Sequence, residues 1–323
     1  MDALPIRLDI HAHQIPLRAG DVADLPGIGW SPAGRLVVDG TELSKPELYQ
    51  PEALLAWMDV QGIATAWISV PPTLYRAALA AEPAGRWARA LNAALCTLAA
   101  RHAERLAPLL HLPVQHPALA AQLAAQAVQQ GQRRFAMPAG DAERGCMLSD
   151  ADYAALWACL DSAGAFLFLH PHRSCDARLD RFSLPNLLGG PTETAIAAAH
   201  LAMSGVLERH PRMTVCLAHG GGSFAAVAGR LQRGQDTGRP GAYLGGEKVR
   251  QALRRFCVDC ITHDAASLQH VAGTFGASRV LFGSDWPFDM GLADPRRQLE
   301  GVEPGLLELI FRRNARALLE DAP

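Results

Sequence analysis

The 323-residue sequence lacks the long apolar and long basic runs that mark membrane-spanning and nucleic-acid-binding proteins. No stretch of about 18 apolar residues occurs, and the chain does not open with a basic region followed by an apolar one, so we expect neither membrane spanning nor export. The formal net charge is only −2, which argues against a nucleic-acid-binding surface. These absences predict a cytoplasmic protein whose partners are small molecules.

Cysteines do not form a disulfide framework in this sequence. The seven thiols are an odd number and are scattered, as expected in a reducing compartment. The pair Cys257 and Cys260 lies in the strand-like run RRFCVDCI, where residues three apart face opposite sides, and no second C-x-x-C accompanies it. We therefore expect reduced thiols and no cysteine metal site.

What the chain has in quantity is apolar residues, at 49%, against 19% charged residues. This balance is typical of a well-buried globular enzyme. Apolar runs without period-two alternation, as in parallel strands buried on both faces, alternate eight times with helical segments. We predict an α/β fold, a (β/α)8 TIM barrel, with residues 1–323 as a single domain.

The alternation begins only after a Gly- and Pro-rich insertion at residues 14–50, which we expect near the active site. Within it, GRLVVDGTEL predicts a small hairpin with its turn at Asp39 and Gly40. The first helix should begin at Pro51 and stop at Gly62. Further along, TETAIAAAHLAMSGVLERHP predicts one continuous helix, and RGQDTGRPGAYLGGEK predicts a loop over the barrel mouth.

Histidines and one aspartate follow the predicted strands where βα loops begin. The first strand ends in His11 and His13, whose side chains, two residues apart, point to the same face. His170 ends the fifth strand, His219 the sixth, and Asp285 the eighth. Each could be structural on its own, but TIM barrels build their sites at this end of the strands. Five such residues together predict one site.

Neutral imidazoles and a carboxylate suit zinc or a similar divalent ion, held by three or four protein ligands with one position left for water. Such an ion lowers the pKa of its bound water towards neutrality. A histidine that does not bind the ion could then handle the proton, and we assign that role to His219.

The segments DIHAH, FLHPH, LAHGGGSFAAVAGR and FGSDWPF, in this order, resemble the metal-dependent amidohydrolase superfamily. More narrowly, they resemble the branch typified by 2-amino-3-carboxymuconate 6-semialdehyde decarboxylase, from about Leu8 to about Arg316. The resemblance implies a divalent ion, usually zinc, with manganese as the alternative. It also implies four ligands, with His219 as the acid/base residue; the ligands are His11, His13, His170 and Asp285.

The number of metal ions follows from the scarcity of lysine. Binuclear members of the superfamily commonly use a carboxylated lysine at the end of strand four, and this chain has only Lys45 and Lys248. Neither lies in the predicted fourth strand, RRFAMP. We expect one ion, and a second ion bridged by Asp285 alone remains the alternative.

Two other motif interpretations are weaker. HGGGS resembles an oxyanion-hole motif of lipases, but the G-x-S-x-G nucleophile elbow is missing because Ser223 is followed by Phe224 and Ala225. GGGSFA also fits G-x-G-x-x-A, yet no strand-end acid follows about 20 residues later, as dinucleotide binding requires. We expect the glycines to let the backbone approach the site and the next helix N-terminus to offer N–H groups to an anion.

Three residues are candidates for substrate binding. The resemblance implies a homodimer in which Arg230 reaches the neighbouring site and holds a carboxylate bidentately, with a surface role as the alternative. Lys45 stands where the family has an arginine before a proline, and it lacks the guanidinium fork. His172 replaces an aromatic Trp of the family, and both a substrate contact and a plain loop role stay open.

The resemblance implies nonoxidative, metal-dependent decarboxylation of an unsaturated or aromatic carboxylic acid. Metal-bound hydroxide and His219 would set up addition to the conjugated system, and Asp285 would pass the proton to carbon as CO2 leaves. The alternative is a metal-dependent hydrolase of an amide, lactone or C–C bond in a small cyclic or dicarbonyl acid, because the ligand set does not separate the two. A barrel that binds a ligand without catalysis is a further, disfavoured alternative, because such a protein would not need a metal coordination position left open for water.

Overall fold

The computed structural model describes residues 4–320 apart from residues 23, 142, 144, 173, 175 and 243–247. Within these residues, eight parallel strands follow one another along the chain. They are β1 (Ile6–His13), β2 (Ile63–Ser69), β3 (Leu106–Pro108 and Leu110–His111), β4 (Arg134–Pro138), β5 (Phe166–His170), β6 (Thr214–Leu217), β7 (Phe256–Asp259) and β8 (Val280–Leu281).

Each strand pairs in parallel with the next one along the chain, from β1 through β8. The first and last strands also lie side by side. The N–H of Ile10 donates to the carbonyl of Phe282 over 3.0 Å, and the N–H of Asp285 donates to the carbonyl of His11 over 2.7 Å. The predicted (β/α)8 barrel is therefore confirmed, and its two ends meet beside the candidate ligands.

The helices alternate with these strands as the sequence predicts. They are α1 (Pro51–Gln61), α2 (Ala81–Ala100), α3 (Pro117–Gln129), α4 (Ala154–Ala163), α5 (Gly190–Met203), α6 (Phe224–Asp236), α7 (Ala265–Phe275) and α8, which consists of Pro304–Glu308, the π-helical Leu309–Arg313 and Asn314–Glu320. Short helices occur at Val206–Arg209, Val249–Ala252 and Pro295–Gln298, and 3-10 or π-helical turns at Pro46–Tyr49, Pro72–Leu74, Ala151–Tyr153, Ala177–Leu179, Pro185–Gly189, His219–Gly221, Leu253–Arg255 and Ala277–Arg279.

Helix boundaries follow local sequence with one exception. α1 ends at Gly62, whose φ of 64° is left-handed, as predicted for a glycine stop. The predicted continuous helix after β5 is wrong: α5 ends at Met203, and Gly205 takes a φ of 75° before the short helix Val206–Arg209. A glycine in this conformation breaks the i to i+4 ladder.

The barrel interior is a small apolar cluster that takes residues from every strand. Its buried members include Leu8, Trp67, Phe168 and Cys257. Cys260 belongs instead to the larger cluster, so the two cysteines of CVDC lie on different sides of the strand. Because α8 supplies Ala315 to the small cluster, one end of the barrel is plugged by apolar side chains, and the polar site lies at the other end.

The insertion after β1 forms a three-stranded antiparallel sheet from Ile28–Trp30, Leu36–Val38 and Thr41–Glu42. The predicted hairpin is confirmed, with positive φ at Asp39 (48°) and Gly40 (83°), as a type I′ turn requires. The sequence did not indicate its first strand. The guanidinium of Arg76, in the loop after β2, donates to both carboxylate oxygens of Asp39 over 2.9 and 2.7 Å, which fixes the insertion to the barrel.

Among the described residues, no helix is both long and apolar enough to span a bilayer. The predicted loop over the mouth begins later than expected, because α6 extends to Asp236. Residues 243–247 of that stretch, and Cys175, lie outside the described part of the chain.

Candidate metal centre and active site

The structure brings the four predicted ligands together at the carboxyl end of the barrel. His11 and His13 end β1, His170 ends β5, and Asp285 follows β8. All four side chains are buried, and their candidate ligand atoms lie within 4.8 Å of one another. The pairing register of β1 shifts between Asp9 and Ala12, an irregularity of the kind that redirects side chains near active sites.

Hydrogen bonds on the far side of each imidazole leave its Nε2 facing the others. His11 Nδ1 lies 2.8 Å from a carboxylate oxygen of Asp259, and His13 Nδ1 lies 3.2 Å from the carbonyl of Val70. His170 Nδ1 is 2.8 Å from the carbonyl of Pro171. A ring nitrogen next to an acceptor carries a proton, so in the neutral form of each ring the lone pair lies on Nε2.

These lone pairs converge without a donor between them. The Nε2 atoms of His11 and His13 are 3.1 Å apart, and Asp285 Oδ1 is 3.2 Å from each. Both Asp285 Oδ1 and His170 Nε2 are buried without a hydrogen-bond partner. Four inward-facing acceptors of this kind fit a divalent cation, and three imidazoles with one carboxylate are a ligand set that zinc and similar ions favour.

The pKa shifts of the four candidate ligands also favour a bound cation. Burial lowers the pKa of His13 and, more strongly, that of His170, so both stay neutral. Burial raises the pKa of Asp285, but His11 outweighs it and holds the carboxyl well below its usual range. Burial likewise lowers the pKa of His11, yet Asp285 and Asp259 raise it to about 10. The negative potential that favours a proton on His11 equally favours a metal cation.

Asp259, the last residue of β7, orients this group and was missed in the sequence analysis. One carboxylate oxygen accepts from His11 Nδ1 and, over 2.9 Å, from the N–H of His219. The other accepts from the N–H groups of Gly220 and Ile261 over 2.8 and 3.1 Å. Partners of this kind fix the tautomer and orientation of a metal-binding histidine. Its strand-end position was the available signal, which the flanking cysteines of CVDC obscured.

A second buried carboxylate joins β1 to the loop after β8. Asp9 accepts from the N–H groups of His11 and Ser284, both over 3.0 Å, and from the Ser284 hydroxyl over 2.5 Å. Burial raises the pKa of Asp9 to about 6. Only glycine fits at position 283, before Ser284, because a Cβ there would lie 2.9 Å from the Cβ atoms of both His11 and Asp259.

His219 lies beside the four candidate ligands and faces a pocket. Its Nε2 is 3.9 Å from Asp285 Oδ2, and its side chain is 21% exposed. Both residues line a pocket of about 560 Å³ that runs between the start of α6, at Ala225 and Ala226, and the α7 residue His270. This placement suits a residue that exchanges protons with a bound molecule, as predicted for His219.

The glycines of HGGGS allow close backbone packing here. Gly222 has a φ of 60°, and a Cβ there would lie 2.0 Å from the carbonyl oxygen of Pro191 at the start of α5. Because Gly222 also lines the pocket, a side chain at this position would displace both α5 and the wall of the cavity.

Tyr75 lies on the β2 side of the mouth, together with His111 and the predicted residue His172. The Tyr75 ring stacks on His111, with centroids 5.3 Å apart and an interplanar angle of 7°, and lies 5.7 Å from the His172 ring and 6.5 Å from the His170 ring. Burial, and then the charge of Asp285, raise the pKa of Tyr75 far above its usual value, while burial lowers the pKa of His111 to about 3. No sequence motif marked Tyr75 or His111.

The other two predicted substrate-binding residues lie further out. Arg230 is exposed on α6, one helical turn beyond the pocket residue Ala226. Lys45 Nζ is 2.9 Å from an oxygen of Asp289, which follows Asp285 in the loop after β8. The structure thus places Lys45 at the mouth of the barrel and Arg230 on the exposed surface of α6.

The fold and the buried cluster define a class of protein, the TIM-barrel enzymes that hold a divalent metal ion at the carboxyl ends of their strands. Residues 8–320 match the family described as Amidohydrolase (Amidohydro_2), and the chain belongs to this family.

Characterised proteins of this kind resemble the chain over most of its length. The 2-amino-3-carboxymuconate-6-semialdehyde decarboxylase of Dictyostelium discoideum is 24% identical over 314 residues, which are 92% of this chain and 86% of the relative. The structure of 5-carboxyvanillate decarboxylase LigW from Sphingomonas paucimobilis superposes with a TM-score of 0.80 at 21% identity, covering 98% of this chain and 99% of the other. A dihydroxybenzoic acid decarboxylase from Polaromonas sp. JS666, with bound manganese and 2-nitroresorcinol, gives a TM-score of 0.74 at 20% identity, covering 98% and 96%.

Proposed function

We propose that this protein is a metal-dependent, nonoxidative carboxy-lyase that removes CO2 from an unsaturated or aromatic carboxylic acid. The observation that carries the proposal is the convergence of four candidate ligand atoms next to His219, beside a pocket large enough for a small acid. The relatives named as decarboxylases support the reaction type.

We assign His11, His13, His170 and Asp285 as the ligands of one divalent ion. Zinc suits three imidazoles and a carboxylate, and the manganese of the Polaromonas structure makes that ion the alternative. The bound ion would supply a Lewis acid that polarises an oxygen of the substrate.

The proton chemistry belongs to His219 and Asp285. Loss of CO2 breaks a C–C bond and leaves its electron pair on the substrate carbon, which must then receive one proton. His219 Nε2 and Asp285 Oδ2 are 3.9 Å apart at the pocket wall, so a proton can pass between them and on to a molecule bound beside them. Asp259 holds the backbone of His219 in place while this happens.

The binding of the substrate carboxylate is proposed to involve a second copy of the chain. Arg230 is exposed rather than turned into its own site, so we propose a homodimer in which it reaches the neighbouring pocket. Mixing inactive His219→Asn chains with inactive Arg230→Ala chains would then restore one intact site per mixed dimer. No recovery, with subunit exchange verified, would assign the arginine to its own chain.

The remaining assignments concern the chain as a whole. We propose that residues 1–323 form a single domain in which the insertion at 14–50 borders the active site, supported by the contacts of Asp39 and Lys45 with the barrel mouth. Five of the described cysteines are free thiols, which supports a cytoplasmic location; they are Cys96, Cys159, Cys216, Cys257 and Cys260.

The test of the reaction is turnover in labelled water. A set of carboxylic acids is screened for release of CO2, and the acid that reacts is converted in deuterium oxide. The product should lose the carboxylate and carry one deuterium on the same carbon. A product that keeps all its carbons and gains oxygen-18 from labelled water would identify a hydrolase instead.

A further inference from the structure

The hydroxyl of Tyr75 is a buried polar group without a partner beside the candidate metal centre. Tyr75 is 1% exposed, and its Oη makes no hydrogen bond. The Nδ1 atom of His111, stacked against it, is also buried and unpaired. Buried polar groups are nearly always hydrogen-bonded, because leaving one unpaired destabilises the fold. Two adjacent unpaired atoms beside the candidate metal centre make this wall a candidate contact for a bound molecule.

The surrounding contacts hold the phenol ring of Tyr75 in place. The ring lies flat on His111, and the next residue, Arg76, is held through Asp39 and through the carbonyl of Pro26 at 2.6 Å. Arg76 has a φ of 44°, a left-handed conformation that costs energy for a residue with a side chain. The loop thus fixes Tyr75 in one orientation at the expense of backbone strain.

Barrel topology places Tyr75 across the cluster from His219. Tyr75 follows β2 and His219 follows β6, and strands four apart lie on opposite sides of an eight-stranded barrel. The ring of His170 lies between them, with centroids 5.0 Å from His219 and 6.5 Å from Tyr75. Tyr75 does not line the pocket at His219, so a molecule bound there would meet Tyr75 by extending across the cluster.

We infer that Tyr75 is a further substrate-binding residue, whose hydroxyl donates a hydrogen bond to a carboxylate or hydroxyl oxygen of the acid on the side opposite His219. His111 acts through it as a positioning residue that holds the phenol ring flat. The inference rests on the proposed function, since it assumes that the bound molecule is an acid held at the metal centre.

The experiment compares Tyr75→Phe with Tyr153→Phe in the metal-loaded protein. Tyr153 is equally buried, but its hydroxyl donates to the carbonyl of Val114 over 2.6 Å. Tyr75→Phe should keep or raise the Tm, because an unpaired hydroxyl is removed, and should weaken benzoate binding about 10- to 100-fold, the range of a hydrogen bond to a charged group. Tyr153→Phe should lower the Tm and leave benzoate affinity and kcat/KM unchanged.

The outcomes separate this inference from the proposed function. Unchanged benzoate affinity and unchanged kcat/KM in Tyr75→Phe would overturn the inference, and so would a loss of Tm as large as that of Tyr153→Phe, which would show a structural hydroxyl. If the wild-type protein released CO2 from no acid while Tyr75→Phe still bound benzoate more weakly, the proposed reaction would fail and the binding role of Tyr75 would stand.

Discussion

The two halves of the barrel mouth differ in how completely their buried polar atoms are paired. On the side of β1, β7 and β8, the carboxylates of Asp9 and Asp259 and the hydroxyl of Ser284 are all hydrogen-bonded. On the side of β2 and β3, the Tyr75 hydroxyl and His111 Nδ1 have no partner. On the first side the chain itself pairs these three groups and leaves only Asp285 Oδ1, which faces the other candidate ligands, without a partner. On the second side the Tyr75 hydroxyl and His111 Nδ1 both stay unpaired.

The difference separates two tasks. A fully paired network is rigid, and through Asp259 it sets the direction of the His11 ring and the position of the His219 backbone. If Tyr75 binds the substrate as inferred, a bound acid would complete the unpaired hydroxyl on the other side. The substitutions below act on the paired half and then on the outer rim, and their effects should fall in that order.

The largest effect should come from removing a proposed ligand. Asp285→Ala should lose the bound metal and all measurable CO2 release, because the three histidines lose the carboxylate that offsets the charge of the ion. Asp289→Ala, at a position whose side chain is 96% exposed, is the matched control and should keep the metal. Elemental analysis should give about one ion per wild-type chain, and a value near two would contradict a mononuclear centre.

The next largest effect should come from His219, which adjoins the cluster without joining it. His219→Asn should lower kcat by at least about 100-fold, the scale of a lost acid/base group, while the metal content stays at the wild-type level. His210→Asn, at a partly exposed histidine before β6, serves as the control for kcat. A metal-free His219→Asn protein would show that His219 is a ligand.

A smaller effect should follow from weakening the hydrogen bonds of Asp259, which supports the proposed ligand His11 and the backbone of His219. Asp259→Asn keeps the shape of the side chain but places an amide N–H2 against donors that need an acceptor, so metal affinity or activity should fall about 10- to 100-fold. Asp264→Asn is the matched control, because Asp264 caps α7 through the N–H of Ser267 and asparagine caps equally well. Equal metal affinity in both variants would remove Asp259 from the site.

The smallest effect should come from Lys45, which pairs with Asp289 at the mouth of the barrel. Lys45→Ala should raise KM by no more than about fivefold and leave kcat unchanged, because exposed ion pairs contribute about 1 kcal/mol or less. Steady-state kinetics of Lys45→Ala and Asp289→Ala together test this prediction. If Lys45 binds the substrate, Lys45→Ala should raise KM and Asp289→Ala should not. If Lys45 only pairs with Asp289, neither variant should change KM.

The sequence predicted the barrel and the candidate ligands because both depend on local patterns. Apolar runs define the strands, and His11, His13, His170 and Asp285 each follow such a run directly. The partners of these residues depend on tertiary contacts, because Asp259 contacts His11 only when β7 and β1 lie in the same barrel. Tyr75 stands out only because its buried hydroxyl has no hydrogen-bond partner, which a sequence does not reveal. The break at Gly205 was missed because a single glycine in a helical pattern is often tolerated.

The hydrogen bonds between Asp9 and Ser284 connect residues 275 positions apart in the sequence. During translation, β1 is therefore made long before the loop after β8. The two histidines of β1 leave the ribosome long before Asp285 is translated, so the complete chelate cannot exist on a nascent chain that lacks β8. With the proposed ligands, complete metal coordination would therefore require that β8 has joined β1, and the cation would stabilise the closed barrel.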